Sequence, residues 1–308
     1  MSSLFAFPGQ GAQRPGMLQH LPDAAVVRAC VEEASDVLQQ PVLQLDTAQS
    51  LASTRAVQLC LLVAGVAHAR WLLERSPAPG YVAGLSIGAY PAAVIAGALT
   101  FADALRLVAL RGELMQQAYP EGYGMTAIIG LDQGTVERLL QDSAQPLYLA
   151  NINADNQFVI AGSDTAMAAL ARQALALGAG ACKRLAMSVP SHCALLDAPA
   201  AELAAAFAEV PLKRPQLGYL SSTSARQLHD PEALRRDLAL NMCRTVDWYG
   251  TLCNAYERGV RLLIELPPGT VLSGLARRVF NSGTVIACQG ARADTLDALL
   301  RREVNASD

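Results

Sequence analysis

Apolar positions along this chain fall into short continuous runs and longer stretches of helical spacing, and the two alternate. Leu4–Phe7 is a buried-strand run that stops at Pro-Gly-Gln-Gly, a loop signal. Helical spacing follows over Met17–Leu38 and again over Ala56–Leu73, each bounded by proline-containing segments. Tyr81–Ser86 reads as a second buried strand, Ile87–Ala98 as a helix beginning where it ends, and Phe101–Ala118 as another long helix.

From Gly124 the pattern changes. Gly124–Leu131 is strand-like, Asp132–Asp142 is helical, and Pro146–Asn151 and Gln157–Gly162 are strands joined by a polar turn. Asp164–Leu177 is helical and Cys182–Met187 strand-like, which completes the β-α-β-β-α-β order of a ferredoxin-like unit. The ends of such a unit lie close together, so it can be inserted in a larger domain. After Pro190 the first pattern resumes. Helices are expected at Ala194–Ala208, Pro231–Leu240, Val246–Arg258, Thr270–Phe280 and Ala293–Arg302, and strands at Leu217–Ser222, Arg261–Leu266 and Thr284–Cys288. Residues 303–308 are expected to fray. The fold class is therefore α/β: a mainly parallel sheet covered on both faces, formed by residues 1–122 and 189–308, with a ferredoxin-like subdomain at 123–188.

Composition narrows the function. The chain has 308 residues, is 52% hydrophobic and carries a net charge of −3, with no long charge run to support nucleic-acid binding. Its seven cysteines form no CxxC pair and no metal-ligand spacing, the pattern of reduced thiols in a cytoplasmic protein. The first residues have no basic region and too short an apolar run for a signal peptide. Val82–Thr100 is uncharged and long enough to test as a membrane span, but Gly84, Gly88, Pro91 and Gly97 interrupt it and no aromatic belt flanks it. A strand running into a buried helix explains the same hydropathy.

The chemistry concentrates at that junction. Gly84-Leu85-Ser86-Ile87-Gly88 fits G-x-S-x-G where a strand turns into a helix, an arrangement that raises a serine at a helix N-terminus. The N–H of Ile87 then faces a developing oxyanion. Of the four histidines, His68 sits on an apolar helical pattern, His20 and His229 lie in loops, and Asp230 has the setting of a helix cap. His192, in Ser-Val-Pro-Ser-His-Cys, follows a strand and a proline at the start of a helix, and is the candidate base for Ser86. The Gly-bearing loop Phe7–Gly11 ends the first strand, where α/β sheets build sites, and its N–H groups could supply the second oxyanion donor. Arg111 stands on an otherwise apolar helical surface. It is either the end of a snorkelling stem or a clamp for a substrate carboxylate. Arg106 would point about 140° away on the same helix.

These pieces occur in this order in one family. The chain resembles the malonyl-CoA:acyl-carrier-protein transacylases through Phe7–Gln13, Gly84–Leu99, Leu110–Gln116, Ser188–Leu196 and Leu266–Arg278. The resemblance implies an α/β-hydrolase-like large subdomain with a ferredoxin-like insertion. It implies that Ser86 is malonylated, His192 is its base, the amides of Gln10 and Ile87 form the oxyanion hole, and Arg111 pairs with the malonyl carboxylate. No bound cofactor is implied. Malonyl-CoA is the substrate and the prosthetic thiol of an acyl-carrier protein the acceptor, in a ping-pong reaction without nucleic acid or membrane.

The family usually orients the histidine with a backbone or amide oxygen. Asn241 falls where a glutamine is usual, Asn151 and Asn153 match an N-x-N strand end beside the cleft, and Gly84 and Gly88 permit the turn. Three departures stand out: Leu85 in place of a common histidine, Asn241 itself, and Pro91 early in the helix. Gly84–Ala93 is most like the transacylase (epsilon) subunit of bacterial malonate decarboxylase, which implies that complex's carrier and other subunits as partners. The alternatives are the fatty-acid or polyketide malonyltransferase, a serine thioesterase or esterase, and a non-catalytic carrier-binding subunit. Arg277–Arg278 and Arg235–Arg236 are candidate docking points for an acidic carrier.

Overall fold

The computed structural model describes residues 2–119 and 121–305. The chain begins with β1 (Ser2–Phe7), α1 (Ala25–Leu38), α2 (Thr54–Leu73), β2 (Tyr81–Gly84), α3 (Ala89–Ile95) and α4 (Phe101–Ala118). It continues through β3 (Tyr123–Ile129), α5 (Gln133–Gln141), β4 (Tyr148–Ala154), β5 (Gln157–Ser163), α6 (Asp164–Ala176) and β6 (Ala181–Arg184). The remainder is α7 (Asp197–Ala208), β7 (Gly218–Leu220), β8 (Gln227–Leu228), α8 (Pro231–Leu240), β9 (Val246–Asp247), α9 (Trp248–Glu257), β10 (Val260–Glu265), α10 (Val271–Ala276), β11 (Thr284–Ala287) and α11 (Ala293–Asn305).

Two sheets result. The larger runs β11-β10-β1-β2-β7-β8, parallel except for the antiparallel edge strand β8. Its central strands are mostly apolar because both faces are covered, and the side-chain alternation sorts them. Phe5, Phe7, Val82, Leu262 and Ile264 enter the core shared with α1–α4, α7 and α8. Leu4, Ala6, Ala83, Val260 and Leu263 face the opposite core under α9 and α10. The smaller sheet runs β6-β3-β5-β4-β9 and is antiparallel except where β9 pairs with β4.

The spacing-based boundaries shift where local chemistry intervenes. Met17–Ala24 is turn, not helix, because Pro22 removes an N–H from what would be a continuing ladder, so only Ala25–Leu38 is helical. Val246–Asp247 is a strand, not the first turn of a helix: Asp247 accepts from the Gly250 N–H and starts α9 one residue later. Cys182–Met187 keeps strand pairing only through Arg184. The expected Thr270–Phe280 helix is confined to α10, and Ala194–Leu196 is a 3₁₀ turn before α7. Glu303–Asn305 remain helical, while the rest of the expected frayed end lies outside the described residues. The uncharged run from Val82 is β2 followed by buried α3. The described helix long and apolar enough to cross a membrane is α2, and 78% of its most apolar window is buried inside the fold. Pro91 is accommodated because it stands in the first turn of α3, where an N–H lacks an intrahelical partner.

The turn between β2 and α3 depends on two glycines. A Cβ on Gly84 would overlap the Gly88 carbonyl, and a Cβ on Gly88 would overlap the Phe7 carbonyl. Gly84→Ala should therefore destabilise the fold by about 2 kcal/mol or more, since backbone atoms cannot move aside. Gly274, exposed on α10 with nothing within 4 Å of an added Cβ, is the contrast. Gly274→Ala should stabilise by about 0.5–1 kcal/mol through helix propensity. Chemical denaturation of both variants checks the pair: equal midpoints would refute the close-approach account.

Candidate active site

Ser86 sits at the end of β2 with φ at +55°, a left-handed conformation that costs a non-glycine residue energy and is held by what surrounds it. The Leu85 N–H donates to the Phe7 carbonyl at 3.0 Å, and a Cβ on Gly9 would come within 2.9 Å of the Leu85 carbonyl oxygen. The turn carrying Ser86 and the loop carrying Gln10 thus lie backbone against backbone. Gln10, Ser86 and Ile87 line one cleft, of about 440 Å³, between the two sheets.

His192 also has a left-handed φ, +64°, and its N–H donates to the Met242 carbonyl at 2.7 Å. Its ring lies between two oxygens: Nδ1 is 2.8 Å from the Asn241 carbonyl and Nε2 is 2.8 Å from Ser86 Oγ. A carbonyl can only accept, so Nδ1 carries the proton and Nε2 is left to accept from the serine hydroxyl. Burial, and after it the positive charge of Arg111, lowers the His192 pKa to about 4. The ring is therefore neutral at pH 7, as a base must be. Burial pushes the neighbouring thiols of Cys193 and Cys243 up to about 11, which keeps both protonated at neutral pH.

Arg111 is fully buried on α4, not snorkelling. Nη1 donates to Gln58 Oε1 at 2.7 Å, and Nη2 reaches Asn241 Oδ1 at 3.3 Å and Ser86 Oγ at 3.4 Å. Burial lowers its pKa, although arginine stays charged at any relevant pH. Its neighbour Gly112 lets α4 close on α2, because a Cβ there would press on the Arg55 backbone.

The fold thus brings together Ser86, His192, Arg111, Asn241, Gln10 and Ile87, with Gly84 and Gly88 beneath the turn. Asn151 and Asn153 also line the cleft, where the buried Oδ1 of Asn153 has no hydrogen-bond partner among the described residues. Leu85 lines the cleft without contributing a polar group. Asn241 orients His192 through its backbone carbonyl, while its side chain holds Arg111. The other histidines lie elsewhere. His20 bonds the Gly16 carbonyl, His68 packs edge-on against Trp71, and His229 precedes Asp230, which caps α8. Arg106 pairs with Asp103 at the surface.

Among the arginine pairs, Arg278 is tied to Asn156 and Asp155, Arg277 to the Val285 carbonyl, and Arg235 to Glu232 and the Phe207 and Val210 carbonyls. Gln58 escaped the sequence reading. Its signal was an amide in the second turn of a helix buried on nearly every side.

Residues 4–306 match the acyl transferase domain family. The malonyl CoA-acyl carrier protein transacylase of Salmonella typhimurium is 36% identical over 291 residues, covering 92% of this chain and 94% of that protein. The enzyme of the same name from Haemophilus influenzae is 37% identical, covering 89% of this chain and 90% of its own. Among solved structures, the malonyl CoA-acyl carrier protein transacylase of Coxiella burnetii superposes with a TM-score of 0.93 at 32% identity, covering 97% of this chain and 98% of that one. A malonyl-transacylase in complex with a type II PKS acyl-carrier protein superposes at 0.87 with 38% identity, covering 93% and 94%. Similarity of this extent, in sequence and in fold, assigns the chain to the acyl transferase family, and it belongs there to the malonyl-CoA:acyl-carrier-protein transacylases.

Proposed function

We propose that this protein moves a malonyl group from malonyl-CoA, through an ester on Ser86, to the thiol of an acyl-carrier protein. One observation carries the reading: a serine, a neutral histidine and a buried arginine without a carboxylate partner among the described residues meet at one point of the cleft. The Ser86 hydroxyl gives its proton to His192 Nε2 as Oγ attacks the thioester carbonyl. The oxyanion lies against the N–H groups of Gln10 and Ile87. The carbon–sulfur bond breaks, the CoA sulfur takes the proton from Nε2, and the malonyl ester remains on Ser86. The carrier thiol then gives its proton to His192, attacks the ester, and Ser86 Oγ leaves and recovers that proton. The Asn241 carbonyl steadies the imidazolium in each half. Arg111 receives the malonyl carboxylate, and an acetyl group would leave the guanidinium unmatched.

The likeness of Gly84–Ala93 pointed to the malonate decarboxylase carrier. The relatives and the carrier complex described above favour a fatty-acid or polyketide carrier instead, and we adopt that acceptor. We also read the antiparallel unit as a ferredoxin-like insertion at 123–188 in an α/β-hydrolase-like subdomain formed by 1–122 and 189–308. The order β6-β3-β5-β4 supports this, although β9 of the larger segment adds a fifth strand to it. Seven free cysteines fit a cytoplasmic setting.

Intact-mass measurement after mixing with malonyl-CoA should show a malonyl adduct that Ser86→Ala abolishes and that added carrier protein discharges. Release of free malonate at the same rate without carrier would make the protein a thioesterase. Arg111→Ala should lower kcat/KM for malonyl-CoA about 100-fold while sparing acetyl-CoA; a retained malonyl preference would remove the clamp.

The pH dependence follows from His192. Its pKa is about 4 in the folded protein against an ordinary 6.5, so the acid limb of kcat/KM should lie well below 6.5. Arg111→Met, which removes a charge that lowers this pKa, should move the limb upward. The fold favours the neutral ring, so this group contributes stability above about pH 6.5 that is lost as pH falls toward 4. A limb at 6.5 that Arg111→Met leaves in place would contradict the electrostatics.

A further inference from the structure

A buried guanidinium ordinarily sits against a carboxylate, because an unpaired charge in the interior is costly. Among the described residues Arg111 has none. Its shortest bond is to the side-chain oxygen of Gln58, at 2.7 Å, and its other partners are the neutral oxygens of Asn241 and Ser86. Gln58 is 1% exposed, in a helix whose neighbouring side chains are apolar, and it does not line the cleft. Its amide orientation is determined: the opposite one would turn an NH₂ group toward the guanidinium, whereas the observed one turns Nε2 toward Met115 Sδ at 3.3 Å. Both Met115 and Arg111 lie on α4, so Gln58 grips that helix at two successive turns from α2.

We propose that Gln58 is a positioning residue that sets acyl specificity: it fixes Arg111 through Nη1 with an uncharged oxygen and so leaves the positive charge free for a substrate carboxylate. The inference rests on the carboxylate-binding role of Arg111 proposed above. It separates two properties that a carboxylate at this position would confound, the place of the guanidinium and its unspent charge. Glutamate has the shape of glutamine and would hold Arg111 in the same place while cancelling the charge.

The test is steady-state acylation of Ser86 by malonyl-CoA and by acetyl-CoA in the wild type, Gln58→Glu and Gln58→Met, with thermal unfolding of each. Gln58→Glu should lower the malonyl-to-acetyl ratio of kcat/KM about 10- to 100-fold, chiefly through KM for malonyl-CoA, without lowering acetyl-CoA turnover. Gln58→Met, which keeps length and neutrality but loses the bond, should raise KM for malonyl-CoA and reduce the ratio less than the glutamate does. A folded Gln58→Glu with the wild-type ratio, or an equal loss toward both thioesters, overturns the proposal. Should Gln58→Glu not fold, an unchanged malonyl KM in Gln58→Met overturns it alone. A wild type indifferent between the two thioesters would instead defeat the malonyl reading itself.

Discussion

Everything at the cleft hangs on the approach of the Gly88 backbone to the Phe7 carbonyl. Ser86 rises from the end of a strand with a left-handed φ, and no local sequence preference stabilises that in a serine. The compensation is tertiary. β1 and β2 are adjacent parallel strands, the Leu85 N–H continues their ladder one step past the end of β2, and the loop after β1 folds onto the Leu85 carbonyl. Below the turn, Gly65 of α2 admits Phe7 and Pro91 at close range, so the helix after Ser86 is seated on the same core. Strand, loop, turn and helix are thereby one rigid body, and Gln10 and Ile87 cannot drift apart without parting β1 from β2.

Which parts of this were readable from the chain follows from how local each signal is. The apolar runs of β1 and β2 and the glycines around Ser86 announce themselves because their cause is short-range: a doubly covered strand and a turn too tight for Cβ atoms. Asn241 was readable only in part. That an oxygen near it would orient His192 could be expected, but the oxygen is the backbone carbonyl, a group every residue carries. The side chain that varies at this position instead bonds Arg111. β9 was missed because two residues cannot show a period, and its pairing partner lies almost a hundred positions earlier in β4. Gln58 was missed for a similar reason: its function is defined by Arg111, 53 positions away. Leu85 is the departure that the structure makes least consequential. Its backbone makes the hydrogen bond to Phe7 and the closest approach to Gly9, and its side chain adds apolar contact beside Gly9, so exchanging a polar side chain for leucine leaves the geometry of Ser86 intact.

The electrostatics of the site form a single coupled problem. Arg111 lies beside Ser86 and lowers the basicity of His192, so in the free protein the charge that would select a dicarboxylic acyl group also weakens the base. On the proposed reading, an arriving malonyl carboxylate neutralises that charge. One of the two causes depressing His192 then disappears, and the imidazole becomes a stronger base at the moment its serine has a substrate to attack. An acetyl thioester brings no such charge and meets the weaker base. Selection then operates twice from one pair of atoms, in binding and again in the proton transfer, which is how a single buried ion pair can discriminate beyond its own binding energy. The arrangement works only if nothing else in the protein neutralises Arg111 first. That is why the neutral amides of Gln58 and Asn241, and not the carboxylates that a buried arginine usually attracts, are the partners this site requires.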